Sequence, residues 1–315
     1  HNNNANCLQD EFLDNDLQEV PQGNEVEALD NSISDQDNDV AISQDLLADN
    51  DCNGTGGNDV QCTNDGFEAG FGGIDDFNFI DIIDQSNSAT LAGDVSSVQL
   101  NDLAIDQGGD LVNTCDETGG GVNQATCENV ELVQVVGPVS QSNSVDAPNG
   151  DNAVQSNGAQ VTQNLDAVND CDEDDTGFNQ ASCINGQTSS EIESIVQDNE
   201  AIVGDDTVQL NFVAANQDLL LQNVCDETGI GDNNAQCSDP TAATDSNNFI
   251  GPVTQGNDAD GSGDADFTQN NNIPIINQVI DAENDCDQSD EQTASGSNLA
   301  TCSNSDPESE ILSIR

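Results

Sequence analysis

Polar and apolar residues alternate one by one along short stretches of this chain, as in VQLNFV at residues 208–213 and SVQLNDLA at 97–104. Residues two apart on an extended strand face the same side. The Gln and Asn of each Gln-x-Asn unit therefore share one face, with Val, Leu, Ala or Ser on the other. This period of two predicts β-strands over most of the chain. Gly and Asn-Gly punctuate them. Asn157-Gly158 reads as a two-residue hairpin, and Asn149-Gly150 and Asn185-Gly186 as further turns. Weak helical patterns appear only at residues 190–196 and 103–112, each enough for a short turn. Residues 67–83 form the most apolar stretch, expected to be a buried strand or a loop plug.

The strands recur as a cassette. A first Gln-x-Asn falls at Gln36/Asn38, Gln85/Asn87, Gln141/Asn143, Gln197/Asn199 and Gln255/Asn257, in steps of 49, 56, 56 and 58 residues. A second falls at Gln99/Asn101, Gln155/Asn157, Gln209/Asn211 and Gln269/Asn271. A third glutamine follows at Gln44, Gln107, Gln163, Gln217 and Gln278. On this reading the first cassette lacks the second unit and is short. Each cassette closes with a cysteine pair: Cys52/Cys62, Cys115/Cys127, Cys171/Cys183, Cys225/Cys237 and Cys286/Cys302. Four of the second cysteines follow Asn-x-Ala-x, beginning at Asn123, Asn179, Asn233 and Asn298.

The expected organisation is an N-terminal arm (1–31) and five repeats (32–81 with an apolar spacer, 82–136, 137–192, 193–249, 250–305), then a tail (306–315). The arm has Pro21 and Gly23 as a turn and serves as a docking arm or cap. The predicted fold class is all-β: a tandem repeat array of disulfide-stapled β cassettes, built as a β-solenoid or as stacked β-arch or sandwich layers.

The cysteine pairs are 10, 12, 12, 12 and 16 residues apart. A disulfide closing such a loop stabilises by about 3 kcal/mol in the chain-entropy model. The rival reading, thiolate ligation of zinc, has no Cys-x-x-Cys and no histidine but His1 to work with. Five disulfides within cassettes leave Cys7 over, a candidate for a bond between subunits. The repeated amides suit ladders in which identical side chains hydrogen-bond along the stacking direction; polar residues on strand surfaces are the alternative. Asp170, Asp172 and Asp174, with Asp285 and Asp287, set hard oxygens close together in acidic turns. Ca2+ is the cation that suits them, as cofactor or otherwise, although no EF-hand loop is present and solvated carboxylates are the plainer reading.

Charge narrows the function further. There are 62 Asp+Glu against one basic residue, Arg315, for a net charge of −61. Such a chain repels nucleic acid and anionic membrane surfaces and attracts cations. High charge with 34% hydrophobic residues is also a signature of disorder, but regular cysteines and alternation argue against it. Eleven cysteines point to an oxidising compartment. With His1 as a mature N-terminus, a signal peptide has been removed. No apolar run is long enough to span a membrane as a helix. A catalytic triad would have to use His1, and no carboxylate pair stands out, so no enzymatic activity is expected.

Gln141-Ser-Asn143, Val154-Gln-Ser-Asn157 and Val161-Thr-Gln163-Asn164, with their counterparts, resemble curlin-type repeats. In that family Gln and Asn recur on the strands of an extracellular amyloid-like fibre. The step here, mostly 56 residues, is longer than the curlin repeat, and curlins lack the cysteine pairs. The acidic, lysine-free, cysteine-bearing composition is also similar to sheath and surface-fibre proteins of archaea. The resemblance implies a secreted structural subunit that assembles with copies of itself into an extracellular filament, fibre or sheath. Near-absence of Lys and Arg leaves trypsin-like proteases no interior site, which suits a durable material. The alternatives are a Ca2+-dependent adhesin or ligand-binding β-solenoid acting as a monomer, and a monomer adapted to high salt.

Overall fold

The computed structural model describes residues 4–9, 14–28, 33–55, 59–64, 76–92, 96–118, 122–148, 152–175, 178–204, 206–229, 232–238, 247–261, 266–290, 299–303 and 308–314. These form strands almost throughout. In chain order they are β1 (Asn4–Gln9), β2 (Asp14–Ala28), β3 (Ile33–Thr55), β4 (Asp59–Asn64), β5 (Asp76–Leu91), β6 (Ser96–Thr118), β7 (Val122–Val136), β8 (Val139–Ala147) and β9 (Asn152–Asp175). Then follow β10 (Phe178–Ile192), β11 (Ile195–Val203), β12 (Asp206–Gly229), β13 (Asp232–Ser238), β14 (Asn247–Ile250), β15 (Val253–Gly261), β16 (Phe267–Asp290), β17 (Leu299–Ser303) and β18 (Glu308–Ile311). The fold is all-β, and no helix appears among the described residues.

The strands make two sheets, and every pairing between named strands is parallel. The second sheet runs β16-β12-β9-β6-β3. The first holds the remaining strands around the path β15-β11-β8-β5-β7-β10-β13-β17. The chain passes from one sheet to the other and back, so sequential long strands face each other instead of pairing. Ladder neighbours lie 54 to 65 residues apart: Gln155 sits opposite Gln99 and Gln209, and Gln36 opposite Gln99. Like stands on like because only that register keeps each inward side chain beside its own kind.

The inner faces of the two sheets meet in one layered interior. Along β9 the buried residues are Ala153, Gln155, Asn157, Ala159, Val161, Gln163, Leu165, Ala167, Asn169 and Cys171. Each takes its place in a layer made by its counterparts on neighbouring strands. Leu103, Ile105, Ala159, Val161, Val213 and Ala215 pack against Ile80, Ile83, Val136, Val139, Ile192, Ile195, Ile250 and Val253 of the first sheet. That packing surrounds a corner where the first sheet bends, at 137–138, 193–194 and 251–252. The ladder continues through the bend: Gly137 N donates to Ile80 O at 2.7 Å and Gly251 N to Ile192 O at 2.7 Å. A Cβ on Gly137 would overlap the Asp81 carbonyl, and one on Gly251 the Glu193 carbonyl. Glycine is required there by the close approach of two backbones.

Several local expectations change. Asn157-Gly158 lies inside β9 and Asn185-Gly186 inside β10, so neither is a turn. Across Gly186 the buried face changes parity, from Asn185 to Thr188 and Ser190. Residues 190–196 and 103–112 are strand or strand junction, not helix. Ladder pairing over a shared interior overrides such weak local preference. Residues 149–150 and 67–75 lie outside the described residues, while residues 76–83 open β5, with Ile80 and Ile83 buried.

The N-terminal region also differs from the reading of it as an arm. β2 pairs with β5, setting Gln22 opposite Gln85 and Asn24 opposite Asn87. Gln36 and Asn38 stand opposite Gln99 and Asn101. The first cassette therefore has both Gln-x-Asn units, the first of them at Gln22-Gly-Asn24, and Pro21 and Gly23 lie within a strand rather than at a turn. Matching Gln36 to Gln85 hid this, because Pro21 and Gly23 disguise the strand.

Candidate functional site: amide columns and a cysteine column

The alternating stretches bury the face that composition alone would put outside. Gln209 and Asn211 are 0% and 2% exposed, while Leu210 and Phe212 between them are 37% and 39% exposed. Burying an amide is costly unless its hydrogen bonds are made, and here they are. In the second sheet, Gln Nε2 donates to the Gln Oε1 one strand earlier: Gln99 to Gln36 (2.9 Å), Gln155 to Gln99 (3.0 Å), Gln209 to Gln155 (2.9 Å) and Gln269 to Gln209 (2.9 Å). In the first sheet Gln141 donates to Gln85 and Gln197 to Gln141, both at 2.7 Å, and Gln255 to Gln197 at 2.8 Å. The third glutamines repeat the pattern from Gln278 through Gln217, Gln163 and Gln107 to Gln44, each bond at 2.8 Å. A second Nε2 bond often crosses to a backbone carbonyl of the facing sheet, as Gln155 does to Glu200 O at 2.9 Å.

The asparagines do more. Their Nδ2 groups donate in the opposite direction, to the next strand: Asn101 to Asn157 at 2.9 Å and Asn157 to Asn211 at 3.0 Å. They also bond across the sheets: Asn143 to Asn157 at 2.9 Å, Asn157 to Asn199 at 3.1 Å and Asn199 to Asn211 at 2.9 Å. The two columns of asparagines thus form one zigzag, in which each residue of one sheet lies between two of the other. All the residues expected in the amide ladder fall in these columns, down to Asn257 and Asn271, joined at 2.6 Å. A further asparagine zigzag was not anticipated. It joins Asn113, Asn169 and Asn223 to Asn129 and Asn185 at 2.8–3.0 Å. Its signal is in the sequence: Asn stands two residues before Cys115, Cys171 and Cys225, and two after Cys127 and Cys183.

The cysteines follow the same plan. Ladder register aligns Cys7, Cys62, Cys127, Cys183, Cys237 and Cys302 down the first sheet. It aligns Cys52, Cys115, Cys171, Cys225 and Cys286 down the second. Cys7, which has no close neighbour in sequence, is thereby opposite Cys62. Each described sulfur lies beside the peptide that precedes the next cysteine in sequence: Cys115 Sγ is 3.6 Å from Thr126 O, Cys127 Sγ 3.6 Å from Asp170 O and Cys183 Sγ 3.2 Å from Val224 O.

The pairing expected within cassettes is not what joins Cys127 and Cys171. These two form a disulfide with each other, Cα–Cα 6.6 Å, bridging two cassettes. That corrects the expected Cys115–Cys127 and Cys171–Cys183 pairs. Equal spacing in sequence hides the reason: through space, a cysteine has a facing neighbour on each side. Cys52 and Cys225 are also disulfide-bonded. The side chains of Cys7, Cys62, Cys237, Cys286 and Cys302 lie outside the described residues. Cys183 is a buried free thiol, its sulfur 2.6 Å from that of Cys225. Burial, and then the Asp170 and Asp172 carboxylates, push this thiol well above the usual range.

The expected Ca2+ ligands lie on β9 and β16 of the second sheet. Asp172 and Asp285 are exposed and Asp170 half-buried, while the side chains of Asp174 and Asp287 lie outside the described residues. Among the described residues, the only group of three or more metal-ligand side chains in close range is Cys115, Cys127 and Cys171, with sulfurs within 4.8 Å of one another. The carboxylates with resolved shifts are on the exterior. Burial, then Asp110 and Asp218, raise Asp166, and burial, then Glu193, raise Glu191.

Two parallel sheets enclosing hydrogen-bonded amide columns define the class of this molecule. No known protein family, no curated protein and no solved structure matches the chain.

Proposed function

We propose that the chain is a β-solenoid of tandem cassettes and a structural, non-catalytic subunit of an extracellular filament, fibre or sheath, with copies of itself as partners. The observation that carries this reading is the polarity of the amide columns. In the described Gln-x-Asn columns, glutamines donate toward the N-terminal strands and asparagines toward the C-terminal strands. The column direction therefore turns Gln Oε1 and Asn Nδ2 outward at the β16 end, and Gln Nε2 and Asn Oδ1 outward at the β3 end. One end offers the acceptors and donors that the other accepts. A second copy docked head to tail continues every column and every parallel ladder. Exposed strand edges are templates for such addition. Repulsion among −61 charges per chain opposes assembly, so salt and divalent cations promote it.

The test is negative-stain microscopy of the purified, non-reduced chain with and without Ca2+. Filaments or tubes are expected, and fibre diffraction from them should show a meridional spacing of about 4.7 Å along the stack. Dispersed elongated monomers under both conditions overturn the reading and favour a monomeric adhesin, to be followed by Ca2+ titration.

A further inference from the structure

We propose that the eleven cysteines act as one exchange-connected column, in which a single unpaired thiol is confined to the six first-sheet cysteines and passes among them by thiol–disulfide exchange. This does not depend on the filament reading. It starts from the count, six cysteines in one sheet and five in the other, and from the zigzag that the described members trace.

Bonds between cysteines of the same sheet are disfavoured by geometry. In-register parallel strands hold equivalent Cβ atoms side by side at the strand spacing, about 4.8 Å. Cystine needs Cβ atoms about 3.5–4.5 Å apart. Facing cysteines do bond, as Cys127 and Cys171 do with Cα atoms 6.6 Å apart. Among the described residues, a sulfur can have two such neighbours. Cys127 is bonded to Cys171, with Cys115, its other facing neighbour, also within 4.8 Å. Cys225 is in a disulfide while Cys183, a free thiol, touches its sulfur at 2.6 Å. Five second-sheet cysteines each take one of six first-sheet partners, so one first-sheet cysteine is always left over. Parity allows it to be Cys7, Cys302 or any first-sheet position between.

Each move is a balanced exchange. The Cys183 thiolate attacks the Cys171 sulfur of Cys127–Cys171. The Cys171–Cys183 bond forms, the Cys127–Cys171 bond breaks, and the electron pair leaves on the Cys127 sulfur, which takes up a proton. No electrons enter or leave the protein. The unpaired thiol has moved one strand along the first sheet, and a pairing between cassettes has become one within a cassette. Burial of Cys183 keeps its thiolate scarce at neutral pH, so exchange speeds up as pH rises.

The test is mass-spectrometric mapping of N-ethylmaleimide labels and disulfides in the full oxidised chain. It is quenched in acid before and after incubation at mildly alkaline pH with trace thiol. One label per chain is expected, spread over several first-sheet cysteines and redistributed by incubation. Three results would overturn the proposal: comparable labelling of second-sheet cysteines, disulfides within one sheet, or a label that stays at one position throughout. Two variants, checked for strand content by circular dichroism, sharpen the count. C127S is expected to carry no label. C171S, also with ten cysteines, is expected to carry two labels, because removing a second-sheet member splits the column into two odd halves. Equal labelling of the two variants would also sink it, as would soft metal bound in place of disulfides.

Discussion

The asparagine zigzag and the cysteine zigzag occupy the same interior and share one geometry, yet they behave differently because their bonding capacities differ. An asparagine amide has two donors and an oxygen with two lone pairs. Asn157 uses them all: its two N–H groups are shared among Asn199, Asn211 and Asp198 O, and its oxygen accepts from Asn101 and Asn143. Every neighbour is satisfied at once, so the amide column has one arrangement. A sulfur forms one disulfide. With two facing neighbours it must choose, and the column has several arrangements of similar geometry. Identical stacking therefore gives rigidity in one layer and degeneracy in the other.

The largest expected effect comes from breaking the amide zigzag. Asn157→Asp removes both donors and buries a charge among oxygens, which costs about 5 kcal/mol. The variant is expected to lose its cooperative thermal transition at neutral pH, while a variant melting within a few degrees of the parent would refute the idea of a saturated column. Next is Cys171→Ser. Closing a loop with a sequence separation of 44 contributes about 4 kcal/mol in the chain-entropy model, and the two thiols left over cannot reach each other across the gap. Denaturant titration reads that loss. Gly137→Ala, where a Cβ would overlap the Asp81 carbonyl, costs about 2 kcal/mol by overpacking. Cys127→Ser, by contrast, is expected to cost under about 1 kcal/mol, because the remaining cysteines re-pair into five disulfides; a loss as large as that of Cys171→Ser breaks the contrast between the layers.

The smallest effect is that of pH, and it comes from outside both columns. Asp166 and Glu191 have folded-state pKa values above their ordinary 3.8 and 4.5. Between those values and the raised ones, the folded chain holds more protons than the unfolded chain, so stability falls as pH rises through that window. Acidification from neutral toward the ordinary carboxylate range is expected to raise the melting temperature. Asp166→Asn and Glu191→Gln together should reduce that gain; an unchanged acid response would remove these two groups as its source.

Much of this was legible in the chain. Period-two alternation marked the strands, and recurrence of Gln-x-Asn and paired cysteines marked the elements that stack. The third glutamines were visible too. What was missed shares a cause. Asn113, Asn129, Asn169, Asn185 and Asn223 sit beside cysteines that drew attention first. Gln22-Gly-Asn24 lies among residues that usually break strands. Asn157-Gly158 is a hairpin signal locally, but a hairpin would pair strands that here lie in opposite sheets. Local chemistry proposes a turn, and the ladder above and below overrides it.

By itself the amino-acid sequence determined that this protein is made of strands, that equivalent residues recur, and that its exterior is strongly acidic, because alternation, recurrence and charge are properties of the chain read in one dimension. Only the tertiary structure decided which face is buried, which neighbour each cysteine meets and where the first cassette begins. Those depend on which strands stand above and opposite one another. A residue some 56 positions away becomes the nearest like side chain only once the two parallel sheets have closed over a common interior.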